Sequence, residues 1–389
     1  MLLVTNGRVL TMDGDLTYER GYVVTEGRQI VEVGSTDELR RPESDFTEII
    51  DANGGYILPG LIDAHCHVGL VEEGMPPDLL DINELTDPVT PHLRAIDAVN
   101  PADSSLRAAA EAGITVAVTG PGSANVIGGT FCAIKTVGKK VDDMVVKETV
   151  AMKVAFGENP KRVHGRKGRS PLTRMATAAI LRETLAKAVR YMEKKESSEE
   201  GKEPDYDMRL EALIPVLRRE IPLKAHAHRA DDIFTALRLA KEFNVNLTID
   251  HCTEGHLIAD YLRDEGVPVI IGPTLTYASK LETRYKTFET PGILAGEGLV
   301  VAIVTDHPVI PLEYLPMCGA MAVREGMDVD EALRAITINA ARNCGLGETL
   351  GSLTPGKDGD IAVFNSHPFE YMTKANTVIV SGEVVYRAG

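Results

Sequence analysis

From Tyr56 onward the chain repeats one pattern, a short apolar stretch rich in β-branched residues and then a stretch with helical spacing. Eight apolar stretches can be read: "YILPGLIDAH", "ITVAVTGPG", "FCAIKTVG", "VAMKVAFG", "IPLKAHAH", "NVNLTIDH", "VPVIIG" and "LVVAIVTDH". Most are apolar throughout rather than alternating, so they suit parallel strands buried on both faces. Helices are predicted over Asp103–Ala112, which stops at Gly113, and over Leu172–Lys195. A third is predicted over Asp231–Phe243, where Phe234, Leu237 and Ala240 share a face. A fourth, over Asp328–Cys344, opens with Asp328 and Glu331 in a capping-box pattern. Strands and helices alternating over about 250–300 residues predict an α/β fold of the (β/α)8 TIM barrel type. The competing arrangement is a doubly wound sheet, against which counts the lack of any G-x-G-x-x-G after a strand.

The two ends of the chain read differently. "LLVTNGRVL", "GYVVTEGRQIVEVG" and "TEIIDANGGYILPG" are β-formers broken by Asn-Gly, Glu-Gly and Gly-Gly turns, and "DIAVFN" and "TVIVSGEVVYRAG" near the end look alike. One economical division pairs 1–57 with 350–389 as a small β domain and leaves 58–349 as the barrel. The stretch 193–207, "EKKESSEEGKEPDYD", is charged, poor in apolar residues, and reads as a solvated loop.

Of the 389 residues 44% are apolar and 25% charged, which suits a large core and argues against whole-chain disorder. A formal net charge of −16 disfavours nucleic acid and anionic membranes as partners. Cys66, Cys132, Cys252, Cys318 and Cys344 are scattered, odd in number and without a C-x-x-C pair, which fits a reducing compartment. The opening residues lack the basic head and apolar core of a signal peptide, and no run reaches the length of a membrane span. A cytoplasmic location is expected.

Chemistry gathers at the strand ends. In "PGLIDAHCHVGL", His65 and His67 project to one side of a strand, where two imidazoles can hold one metal ion. Alone, the pair equally describes two polar residues at a worn strand end. Three more strands end in the same way, with His226 and His228 in "LKAHAHR", His251 in "TIDHCTEGH" and Asp306 in "VAIVTDHP". The C-terminal strand ends of a barrel converge on one mouth, and binding groups collect there. Lesser signals carry two readings each. His228 is either a substrate contact or a strand-end polar residue. The Gly-Gly of "SANVIGGTF" either brings backbone close to a substrate or makes a tight turn. The basic run "NPKRVHGRKGR" (159–169) either faces the mouth and attracts a carboxylate or is a solvated loop. Glu254 is read as capping the helix that follows it, and His307 as structural.

With the closing segment "GSLTPGKDGDIAVFN", these residues resemble the amidohydrolase superfamily, most nearly its branch of imidazolonepropionases, cyclic-amide hydrolases and dipeptidases. The resemblance covers essentially the whole chain and implies a barrel with a small β-sandwich built from both termini. It implies that His65, His67, His226, His251 and Asp306 ligate a divalent metal, zinc by default, with iron or manganese as alternatives. It places Lys153 of "VAMKVAFG" where some members carry a carboxylated lysine that bridges two metals. An unmodified ammonium cannot ligate, so a plain lysine there implies one ion rather than two. The implied reaction is hydrolysis of a carbon–nitrogen bond in a small cyclic or peptide-like amide by a metal-activated water. Asp306 moves protons, and His251 or the metal stabilises the oxyanion. The rival readings are deamination of a ring amine on a mononuclear site and a metal-free scaffold. Scaffolds typically lose ligands, and none is missing here. Family habit allows a homo-oligomer.

Overall fold

The computed structural model describes residues 1–76, 78–197 and 203–389. Five strands come first: β1 (Leu2–Leu10), β2 (Thr17–Glu26), β3 (Gln29–Ser35), β4 (Glu48–Asp51) and β5 (Tyr56–Pro59). Eight follow: β6 (Leu61–Cys66), β7 (Ile114–Thr119), β8 (Ile127–Lys135), β9 (Val145–Ala155), β10 (Leu223–Ala227), β11 (Leu247–His251), β12 (Val269–Ile271) and β13 (Val301–Ile303). The chain then adds β14 (Ile361–Phe364), β15 (Ala375–Val380) and β16 (Glu383–Arg387).

The terminal strands join in one sheet of order β16-β15-β14-β5-β1-β2-β3, with β4 on β1. β14 lies antiparallel to β5, Ile361 opposite Pro59 and Phe364 opposite Tyr56, so the two chain ends meet. Only Gly60 separates β5 from β6.

β6 to β13 form a second, eight-stranded sheet in chain order. β6 and β7 pair in parallel, as do the neighbours from β9 to β13. β8 departs from the expected all-parallel pattern, because it runs antiparallel to both β7 and β9. Parallel neighbours need a crossover of roughly a dozen residues or more, and residues 120–126 are too few. The chain must turn straight back. Gly128 and Gly129 accordingly lie inside β8 and not in a turn. Gly129 has φ 121°, and a Cβ there would stand 2.4 Å from the Leu93 carbonyl oxygen, so the glycine admits a neighbouring loop against the strand.

The barrel is nearly closed. β13 and β6 share no ladder, but three contacts tie the seam. The Ile62 amide donates to Ile336 O at 2.8 Å, and the His67 amide to His307 O at 2.9 Å. The Asp63 carboxylate accepts from the Thr305 amide at 3.0 Å and the Thr305 hydroxyl at 2.6 Å. The helix expected over 328–344 is broken in two for this purpose, into Val329–Ala335 and Ile338–Asn343. The break frees the Ile336 carbonyl for the Ile62 amide. Asp328 caps the first piece through the amides of Asp330 and Glu331.

The other predicted helices stand at Ser104–Glu111, Arg174–Ser197 and Ala230–Phe243. Helix Arg174–Ser197 buries Thr177, Leu181, Leu185, Ala188 and Tyr191, a stripe at three- and four-residue spacing. Its leucines pack with Ile233, Leu237, Ala225 and Ile249. Burial of each such leucine contributes about 1.5–3 kcal/mol. This helix takes in 193–197 of the charged stretch, whose residues 198–202 lie outside the described residues. All five cysteines are free and buried. Among the described residues no helix is long and apolar enough to cross a membrane.

Candidate active site

The strand ends bring His65, His67, Lys153, His226, His228, His251 and Asp306 together. The imidazoles form a chain of rings, with centroids 5.3 Å apart from His67 to His65, 5.1 Å from His65 to His251, 4.4 Å from His251 to His226 and 4.7 Å from His226 to His228. Asp306 Oδ1 lies 3.3 Å from His67 Nε2 and 3.6 Å from His65 Nε2. Lys153 Nζ is 3.4 Å from His65 Nε2. All but the fully buried His65 line one cavity of ≈ 300 Å³. A larger hollow of ≈ 630 Å³ lies among Lys147, Arg219 and Arg342, but it has no histidine or other metal-ligating cluster. The side-chain chemistry places the site in the smaller one.

Two residues reach the cavity only because the backbone leaves the strand conformation. Neighbouring strand residues point to opposite faces. Yet Asp250 and His251 both approach His65, Asp250 Oδ2 lying 2.8 Å from its Nδ1. His251 has φ 70°, Cys252 φ 45° and Asp306 φ 55°. A left-handed backbone at a non-glycine residue costs about 1–3 kcal/mol, and such strain clusters where function demands an orientation.

Three of the five rings are aimed by a hydrogen-bond partner on Nδ1. His67 Nδ1 donates to Gly120 O at 2.7 Å, and His251 Nδ1 to Gly272 O at 2.6 Å. His228 Nδ1 pairs with Thr253 Oγ1 at 2.7 Å. Holding the proton on Nδ1 leaves the Nε2 lone pair for a ligand. His65 leans on Asp250, a contact that is short but not aligned as a hydrogen bond. Lys224 holds Asp250 from the other side, its Nζ 3.3 Å from Oδ1 and donating to Ala64 O at 3.1 Å.

Burial, first of all, pushes His65, His226, His228 and His251 well below the ordinary histidine value, so each stands as the neutral imidazole that binds metals. Burial also pushes Lys153 down to about 8; Asp250 opposes this and Lys224 adds to it. Burial alone would raise Asp306, but His251, His67 and Lys153 outweigh it and hold the carboxylate below its usual range. Burial lifts Asp63 to about 6.

The donor atoms of His65, His67 and Asp306 lie within 4.8 Å of one another, and so do those of His226, His228 and Glu282. Imidazole nitrogens with carboxylate oxygens suit zinc and its first-row neighbours. The residues therefore fit a divalent cation.

Sequence reasoning missed several of these groups. Glu282 is buried, its Oε1 3.9 Å from His226 Nε2 and 3.8 Å from His228 Nε2. It exchanges hydrogen bonds with Glu158, the Glu158 amide donating to Glu282 Oε2 at 2.7 Å and the Glu282 amide to Glu158 Oε1 at 3.1 Å. Gly157 makes room, since a Cβ there would stand 2.4 Å from Glu282 Oε2. Lys280, Glu282 and Lys286 sit in a polar loop after β12 with no periodic signal. Asp250 and Lys224 were legible as charged residues inside apolar strands. Glu254 caps a helix, but the one before it, accepting from the Ala230 amide at 2.9 Å. The basic run forms helix Glu158–Gly165 and the turn after it. Lys167 and Arg169 hold the carbonyls of Leu85 and Thr86, and neither they nor Lys161, Arg162 or Arg166 line the cavity. His307 is a strut, its Nδ1 accepting from the Leu312 amide at 3.2 Å.

Known proteins are similar to this chain in sequence and fold. A family model described as "Amidohydrolase family" matches residues 56–385. The chain is 28% identical over 390 residues to the amidohydrolase tasK of Hapsidospora irregularis, covering 92% of this chain and 40% of that protein. The chain thus spans less than half of that relative's length. It is 23% identical over 420 residues to an imidazolonepropionase of Fusobacterium nucleatum, covering 94% and 92% of the two chains. The solved structure of an amidohydrolase from Thermotoga maritima is similar along 100% of both chains, with 40% identity and a TM-score of 0.95. The chain belongs to the amidohydrolase family.

Proposed function

We propose that the protein hydrolyses a carbon–nitrogen bond in a small cyclic or peptide-like amide. The observation that carries this reading is the convergence of His65, His67, Lys153, His226, His251 and Asp306 on one cavity. The imidazolonepropionase relative supports a cyclic amide among the substrates. His65, His67, His226, His251 and Asp306 would hold one or two divalent cations. Such a cation, zinc by default, supplies Lewis acidity that polarises a carbonyl and acidifies a water when bound.

The protein's own groups do the remaining work. Asp306, ionised at neutral pH and 3.3 Å from His67, takes a proton from the attacking water and returns it to the leaving nitrogen. His251, whose Nδ1 donates to Gly272 O, presents an Nε2 lone pair and would serve as a cation ligand rather than as a donor to the oxyanion. His228 contacts the substrate from the same wall. Lys153 and Lys224 are cross-strand partners that share a single buried carboxylate, Asp250. Loss of a proton from the Lys153 ammonium and addition of carbon dioxide to the free amine form a carbamate and release two protons in all. That exchange turns one of two crowded buried cations into an anion. A pKa of about 8 leaves a usable fraction of free amine near neutrality.

Deamination of a ring amine is the weaker reading, since it asks for a mononuclear site and leaves Lys153 without a task. The same scheme assigns 1–57 with 350–389 to a β-sandwich domain and 58–349 to the barrel. The test is a screen of cyclic amides, N-acyl amino acids and dipeptides with metal-replete protein, alongside metal analysis. Absence of hydrolysis in all three classes by metal-loaded protein would sink the reading.

A further inference from the structure

One ammonium lining the cavity makes no ion pair with a carboxylate among the described residues, and only the more distant charge of Asp306 attracts it. Lys286 is half-buried on the loop between β12 and helix Thr290–Gly296 and lines the same cavity as His226, His251 and Asp306. Its ammonium donates to the Thr276 hydroxyl and faces Tyr277 O at 3.5 Å. Among the described residues no carboxylate pairs with it. Its neighbour Lys280 differs, since that ammonium holds Glu282 and Asn159, each at 3.1 Å. The chain has 57 acidic residues against 41 basic ones, so acids were not scarce. Taking an ammonium out of water is costly unless an anion offsets it. The wall also carries Val71, Leu80, Ile82 and Val309, in a cavity of ≈ 300 Å³ that suits a small ligand.

We propose that Lys286 anchors a carboxylate of the substrate and so selects small amides that bear one negative charge and an apolar body. The proposal rests on the hydrolytic reading of the site. A single ammonium helped by neutral groups matches one negative charge. A phosphate calls for more, typically an arginine fork or several backbone amides. The competing explanation is that Lys286 merely balances Asp306. That role would treat charged and neutral ligands alike.

The test compares binding of N-acetyl-L-leucine and N-acetyl-L-leucinamide to the metal-replete protein by calorimetry. The wild type is expected to bind the acid about tenfold more tightly or better, the size of one hydrogen bond to a charged group. Lys286→Met should abolish this preference without weakening the amide, and Lys286→Arg should keep it. Failure of the acid to bind more tightly than the amide in the wild type overturns the proposal, as does a preference that survives in Lys286→Met. An intact preference that Lys286→Met removes, with neither probe hydrolysed, supports the anchor and counts only against the hydrolytic reading.

Discussion

The two ligand groups of the cavity are built by different means. His65, His67 and Asp306 stand where the barrel closes on itself. Asp63 ties β6 to Thr305, the His67 amide binds His307 O, and a left-handed backbone turns Asp306 inward. His226, His228 and Glu282 meet because the loop after β12 is seated on the start of helix Glu158–Gly165, held by the Glu158–Glu282 exchange and by Lys280. The first group is set by the scaffold and the second by what covers it. Chemistry should therefore be most sensitive to changes in the first, and substrate fit to changes in the second.

The sharpest way to break this contrast is Asp306→Asn. It keeps a ligand oxygen but removes the proton acceptor, so kcat should fall about 10²–10⁴-fold while most of the metal stays. Steady-state kinetics with metal analysis on the same sample would show both, and full activity would remove Asp306 from the chemistry. Next in size is Asp250→Asn, which takes from His65 its support and leaves Lys224 a buried cation without a counter-charge. Metal affinity should drop about 10–100-fold, measured by chelator competition. On the proposed carbamate, Lys153→Met should lower the metal content from two ions per chain to one. An unchanged count would mean that Lys153 bridges nothing.

Acid should act more gently. His65, His226, His228 and His251 have pKa values below their ordinary 6.5, so in the folded protein they bind protons less readily than in the unfolded chain. Their contribution to stability is complete above pH 6.5 and is lost as pH falls below it. Melting temperatures of the metal-free protein should be level for these groups from pH 7 to 8 and decline toward pH 5. The smallest change is Glu282→Gln, which keeps the shape of the loop but frees Lys280. It should raise KM with kcat nearly unchanged. A loss of kcat as large as that of Asp306→Asn would erase the distinction between the two groups.

Much of the site was legible because its ligands end apolar strands, and an apolar run that stops at His65, His226, His251 or Asp306 is a local signal. What escaped was of two kinds. Groups inside strands, such as Asp250 and Lys224, were passed over although a charge in a buried strand always needs a partner. Groups on the covering loop, Lys280, Glu282 and Lys286, look like ordinary surface residues until the loop is seated. The antiparallel β8 was open to prediction from a connection too short for a crossover.

The amino-acid sequence by itself determined the strand–helix alternation, the pairing chemistry of the two chain ends and the list of strand-end ligands, because these depend on hydrophobic runs and turn residues close in sequence. Only the tertiary structure decided that Asp63 closes the seam and that Asp250 supports His65. It also decided which lysine in the cavity makes no ion pair among the described residues. Each of these joins residues far apart in the chain, and which partner a buried charge finds is fixed only when the fold has brought every candidate within reach.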